Sequence, residues 1–297
     1  MKTTEILNSY EVKHRFAIRS EHGEGPVWDE KAKKFYWVDL LRGKYYKADA
    51  NTGVVKGYEM GQPLGVMALC NEGSVVAALK DGFAYYNEKA DILEIMENPE
   101  KSLPETRFND GAVDPKGRFL AGTMKHDGSK PIGSLYSFET GKKAKKLEED
   151  IYITSGMDWS VDGKTFFLTD TNRHVIWAYD YDLETGNISN RRDHIVFGKD
   201  EYPDGMCIDS EGGFWVAMWE GSKLSHFDAD GNKIEDIPLP VKYPTSCCFG
   251  GDDMKELFIT TSLLELDDEE REETRTAGKV LSIRTNVKGK KQYRFRK

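Results

Sequence analysis

A group of polar residues recurs at equivalent places along the chain and could act together. Glu24, Asp110, Ser155, Asp204 and Thr245 each stand immediately before a glycine or serine, Leu64 holds the same place before Gly65, and Asn109 precedes Asp110. Three carboxylates, an amide and two hydroxyls make an oxygen-rich donor set of the kind taken up by hard cations such as Ca²⁺, Mg²⁺ or Mn²⁺. An Asp-Gly pair is also an ordinary turn in which the carboxylate caps its own backbone. These residues therefore form a site only if folding gathers them. Arg107, in ETRFND directly before the group, adds a guanidinium that either orients hydroxyls or a carboxylate, or pairs with a neighbouring Asp.

What must gather them is a repeat. Gly25, Gly65, Gly111, Gly156, Gly205 and Ser246 each open two short apolar segments joined by a polar turn, at intervals of 40 to 49 residues. YPDGMCIDSEGGFWVAM, from Tyr202 to Met218, is the clearest unit. Each unit continues into a second strand pair marked by turn signals such as NTG, ETG and ADGN. Six units of about four strands predict an all-β fold, a six-bladed β-propeller with four-stranded blades around a central channel, as one domain over residues 1–297. The strand Tyr10 to Ile18 is expected to complete the last blade as its outer strand, which removes an open sheet edge. No segment reads as a helix. The acidic run Leu264 to Glu273 reads as a solvated loop, and the lysine-rich VKGKKQYRFRK as a solvated strand edge and tail. In such a ring the residue before each anchoring glycine or serine lies near one mouth of the channel, so the polar group above converges there.

Composition narrows the partners. A formal net charge of -9 argues against a nucleic-acid or anionic-membrane surface and favours a small neutral or polar molecule. The N-terminus lacks the apolar core of a signal peptide and no run is long enough for a membrane helix, so a cytoplasmic protein is expected, a monomer or weak homo-oligomer. The four cysteines sit in apolar strand-like runs and read as buried thiols. The six histidines form no metal triad, though His22 and His126 fall near the expected mouth, and no GxSxG elbow supports a serine nucleophile.

The motifs GEGPVWD, RFNDGAVDPKGRFLAGTM, SGMDWSVDGKTFFLTD, YPDGMCIDSEGGFWVAMWEG and PTSCCFGG, in that order, resemble the SMP-30/gluconolactonase/luciferin-regenerating-enzyme family. The similarity runs from about Gly23 to the VKG near the C-terminus. The resemblance implies a six-bladed propeller and a lactonase that acts on sugar (aldono-) lactones with one divalent cation, Ca²⁺ foremost, with Mg²⁺, Mn²⁺ or Zn²⁺ as alternatives. It implies metal ligation by Glu24 of GEGP and Asp204 of PDG, and substrate contact by Arg107 and Asn109 of RFND. The acidic residue after AGTM falls on Asp127, in the lid-like loop MKHDGSKPIG. Where the family commonly carries a ligating Asn before Gly, this chain has Ser155, a weaker neutral donor that would ligate directly or through water.

From these residues, Asp204 is the candidate general base for the attacking water, with Glu24, Ser155 and Asp204 as the metal set. Two rival readings keep the propeller. One is a metal-dependent esterase or phosphotriesterase-like hydrolase on a non-sugar substrate. The other is a non-catalytic calcium-binding or protein-interaction propeller, to which the single FYWVD motif points.

Overall fold

The computed structural model describes residues 4–7, 10–71 and 73–297. Six antiparallel sheets follow one another along the chain. The first blade is Gly23–Asp29, Lys34–Asp39, Lys44–Asp49 and Val55–Glu59, and the fifth is Tyr202–Ile208, Phe214–Trp219, Lys223–Phe227 and Lys233–Pro238. Blades two, three and four repeat that order, opening at Leu64–Leu69, Thr106–Val113 and Thr154–Trp159. The protein is a six-bladed β-propeller.

Burial falls from the axis outward, which is why the strands differ in composition. Inner strands such as Leu64–Leu69 are covered on both faces and read as continuous apolar runs. Outer strands such as Ile92–Glu97 and Ile188–Val196 are mostly exposed and carry the charge. Large aromatics fill the gaps between blades, Trp37, Trp159 and Trp215 among them.

At four of the six units the small opening residue has a steric cause. A Cβ on Gly205 would lie 2.1 Å from Ser246 Oγ, and one on Gly156 would lie 2.4 Å from the Met206 nitrogen. Inner strands of neighbouring blades abut at these points, so no side chain fits. Beside the same residue, every inner strand slips its register against the second strand, at Glu24/Val27, Leu64/Val66, Phe108/Asp110, Thr154/Met157, Pro203/Met206 and Pro244/Ser246. A bulge re-aims the side chains around it. Repeated six times, it marks one position per blade at the same height in the ring.

The ring closes within the sixth blade, ordered Pro244–Gly250, Glu256–Thr261, Leu281–Arg284, Tyr10–His14. The N-terminal strand does complete this blade, but it ends at His14, and Thr4–Leu7 pairs outside it as a fifth strand. Two further readings from sequence are corrected. The acidic run contains a short helix, Asp268–Glu273, because Asp267 accepts from the Glu270 N–H at 2.8 Å while the Glu270 carboxylate accepts from the Asp267 N–H at 3.0 Å. Arg271 then ties it to Glu21 at 2.7 Å.

The lysine-rich end is not a solvated tail. It crosses the channel at the ends of the inner strands and touches all six blades. Gly289 N–H donates to Met254 O at 2.7 Å, Ser210 N–H donates to Lys288 O at 2.8 Å, and Lys290 Nζ lies 2.6 Å from Asp158 Oδ1. Gln292 accepts from Trp28 N–H at 2.9 Å, Phe295 N–H donates to Leu69 O at 2.9 Å, and Arg296 N–H donates to Gly117 O at 2.9 Å. Phe295 is fully buried against Tyr85, Phe119 and Phe138. Alternating charge and ring along this segment resembles a solvated strand, and only the assembled ring supplies its partners.

Candidate functional site

The opposite mouth, at the beginnings of the inner strands, holds an open cavity of about 410 Å³. Glu24, Arg107, Asn109, Asp127 and Asp204 all line it, so five of the six residues singled out from sequence meet in one place. His22 and His126 line it as well.

The bulges set the carboxylates. A bulge frees a backbone N–H from the ladder, and a buried N–H needs an acceptor. Gly25 N–H donates to Glu24 Oε2 at 3.1 Å and Gly111 N–H to Asp110 Oδ1 at 2.7 Å, and the Gly205 N–H serves Asp204 in the same way. Gly25 has φ of +49°, a conformation that glycine adopts without strain. One device, used three times, fixes three carboxylates, Glu24 and Asp204 at the cavity and Asp110 in the channel.

Their charges are poorly compensated. Burial, then the charges of Asp204 and Asp110, hold the Glu24 carboxyl well above its usual range. Burial and the Asp110 charge push Asp204 up to about 8, against the pull of the Ser155 hydroxyl, the Gly205 N–H and Arg107. Burial raises Asp110 to about 6. Arg107 is the cation that faces them. Burial lowers its guanidinium to about 10, and Glu24 and Asp204 oppose that shift. His22 is buried beside Arg107, which lowers it to about 3 and keeps it neutral; its Nδ1 lies 2.9 Å from Ser262 Oγ.

The polar readers are braced. Arg107 Nη1 donates to Asn109 Oδ1 at 2.7 Å, and Asn109 Nδ2 donates to Thr154 O at 2.9 Å. Asp127 is exposed on its loop, where Lys125 at 2.6 Å and Ser129 hold its carboxyl below the usual range.

The ring positions read from sequence do not all reach the cavity. Ser155 sits behind Asp204 with its hydroxyl 2.8 Å from Thr171 Oγ1. Asp110 lines the channel below the cavity. Leu64 packs in the core between the first two blades, and Thr245 donates to Gly23 O at 2.5 Å, joining the sixth blade to the first. Equivalent sequence position fixes height in the ring but not the direction of the side chain.

Sequence reasoning missed residues after the second strands of the fourth, fifth and sixth units. Thr171, Asn172, Glu220, Leu264 and Glu265 all line the cavity, as does Trp219, which ends its strand and reads from sequence as core packing or an apolar wall of the pocket. The second strand runs back to the mouth where the first began, so FFLTD-TN, FWVAM-WE and ITTSL-LE carried the signal. Trp219 is held between His22, 5.7 Å away and edge-on, and Tyr243 at 4.5 Å. The Asp that ends such strands has a separate task. Asp39 of FYWVD accepts from the Glu21 and His22 N–H groups, and Asp170 accepts from those of Tyr152 and Ile153.

The carboxylates here are buried, and the charges of Asp204 and Asp110 raise Glu24 while that of Asp110 raises Asp204, so together they form a set that a hard divalent cation would neutralise. The described residues contain no group of three or more His, Cys, Asp or Glu placed to hold a metal. Two buried carboxylates, Glu24 and Asp204, face this cavity together with the Arg107 guanidinium. The described residues include no helix long and apolar enough to cross a membrane.

Comparison with known proteins gives consistent matches. The family model described as "SMP-30/Gluconolactonase/LRE-like region" matches residues 22–263. Regucalcin of Gallus gallus is 38% identical over 281 residues, covering 92% of this chain and 94% of that protein. A calcium-binding protein, regucalcin, from Agrobacterium tumefaciens superposes with a TM-score of 0.91 at 26% identity, covering 96% of this chain and 97% of the other. A gluconolactonase from Xanthomonas campestris shares the fold, with a TM-score of 0.76 at 18% identity over 94% and 90% of the two chains.

Proposed function

Because the chain belongs to the SMP-30/gluconolactonase/LRE-like family, we propose that it is a divalent-metal-dependent lactonase that hydrolyses sugar lactones. The observation that carries this reading is the pairing of Glu24 and Asp204 with Arg107 and Asn109 in one open cavity. The similarity to regucalcin and to a gluconolactonase points the same way.

Glu24 and Asp204 would hold the cation, Ca²⁺ first, and when bound it would polarise the lactone carbonyl and offset the negative charge developing on its oxygen. Arg107 and Asn109, fixed to each other and to Thr154, orient the ring hydroxyls, and Asp127 reaches them from the loop. Asp204 takes a proton from the attacking water through a carboxylate oxygen. Ser155 acts through Asp204, because its hydroxyl favours the ionised form. Trp219 offers a flat apolar wall to the C–H face of a sugar.

An Asp204→Asn variant tests the base assignment. With Ca²⁺ retained, as measured by calorimetry, kcat on an aldonolactone should fall at least about 100-fold; hydrolysis at the parent rate removes Asp204 from that role. The esterase and interaction-module readings have less support. Arg107 and Asn109 suit hydroxyls, and the Asp of FYWVD is engaged within its own blade.

A further inference from the structure

The cavity's outer edge carries three acidic side chains, Asp127, Glu220 and Glu265, all exposed. They are not alike. Lys125 meets Asp127 at 2.6 Å and largely cancels its charge. Glu220 and Glu265 make no ion pair and no side-chain hydrogen bond among the described residues, although Lys242 feels the charge of Glu220. Both also stand at left-handed backbone positions, with φ of +60° and +66°. Glycine or asparagine would fit such positions with less strain. They come from different blades, Glu220 from the turn after Phe214–Trp219 and Glu265 from the segment after Glu256–Thr261.

A cation on the floor, with Arg107 beside it, would offset Glu24 and Asp204, leaving Glu220 and Glu265 as the rim charges without an ion-pair partner that an entering molecule meets. A lactone whose carbonyl reaches the floor turns its far end toward this rim. We infer that Glu220 and Glu265 act as a charge filter, so that the site takes neutral sugar lactones and turns away anionic ones carrying a phosphate or second carboxylate at the end remote from the carbonyl. This inference rests on the lactonase reading for the identity of the substrate, while the sign of the rim does not. Two like charges within about 8 Å of a phosphate dianion in water, partly screened by salt, should disfavour it roughly tenfold.

The test uses the full-length chain with Ca²⁺. The ratio of kcat/KM for an aldonolactone to that for the same lactone phosphorylated at its terminal hydroxyl is measured at 20 mM and 500 mM NaCl, for the parent and for Glu220→Gln/Glu265→Gln. The expected ratio favours the neutral lactone about tenfold or more at low salt. It should move about tenfold toward the anion in the double variant and collapse at high salt. A ratio unchanged by both salt and substitution overturns the filter and leaves the lactonase reading standing. If neither lactone is hydrolysed, the lactonase reading fails instead. The filter is then decided by calorimetric binding of glucitol against glucitol 6-phosphate under the same conditions, where equal affinities, or a gap that the double variant does not narrow, overturn it.

Discussion

Gly205→Ala perturbs the contact that places Asp204, and its cost can be worked from the structure. The added Cβ would lie 2.1 Å from Ser246 Oγ, 2.3 Å from Ser246 Cβ and 2.7 Å from Ser246 Cα. Non-bonded contacts of that kind are not tolerated, and rotating the Ser246 hydroxyl away still leaves the Cβ and Cα in place. One inner strand must move by the better part of an ångström. Gly205 is not in a left-handed conformation, so by itself alanine would stabilise the chain by about 0.4–1 kcal/mol through the unfolded state. Overpacking costs about 1–3 kcal/mol, which leaves a net loss centred on about 1.3 kcal/mol. Because Asp204 is the preceding residue, a strand shift of that size should also lower lactonase kcat/KM by about 100-fold. Urea unfolding gives the first number and lactone hydrolysis the second. Ser246→Gly in the Gly205→Ala background removes two of the three clashes and should recover part of both. The reasoning fails if Gly205→Ala is as stable as the parent or more so, or if the double variant recovers nothing.

Two further outcomes follow from the two ends of the channel. Phe295→Ala empties a fully buried aromatic site on the C-terminal strap and should cost about 3–5 kcal/mol in urea unfolding, while lactone kcat/KM stays within about twofold, since the cavity lies at the other mouth. At the site end, burial and the Asp110 charge raise Asp204 from 3.8 to about 8, and burial raises Asp110 from 3.8 to about 6. His22, held neutral in the folded chain, works the other way below about 6.5, but the three raised carboxyls outnumber it, so the folded metal-free chain binds more protons than the unfolded chain and its stability should fall as pH rises from about 4 to about 8. Thermal melts in chelator should show that slope, and saturating Ca²⁺ should flatten or reverse it, because cation binding displaces those protons. Stability in chelator that rises over the same window contradicts the assignment.

The propeller was legible because its chemistry is local. Close abutments of strands leave no room for a side chain at Gly65, Gly111, Gly156 and Gly205, and a left-handed backbone sets Gly25, so a small residue is written once per unit. The carboxylates were legible for the same reason, since Glu24, Asp110 and Asp204 each cap the N–H freed by the bulge beside them. What stayed hidden depends on partners far away in the chain. Phe295 looks like one ring in a basic tail until Tyr85, Phe119 and Phe138 surround it. Leu64 and Thr245 hold ring positions but turn to the core and to Gly23, because packing between blades decides which way a side chain points. The helix at Asp268–Glu273 was a different matter, since Asp267 and Glu270 stand at capping-box spacing within a run read only for its charge.

The central claim is that a divalent cation between Glu24 and Asp204 makes this cavity a sugar lactonase. The most direct measurement is aldonolactone hydrolysis by the chelated chain before and after re-addition of Ca²⁺, Mg²⁺, Mn²⁺ or Zn²⁺. Activity should vanish on chelation and return with a divalent cation, with Ca²⁺ sufficient. A rate untouched by complete chelation, or no hydrolysis with any of the four cations, contradicts the claim.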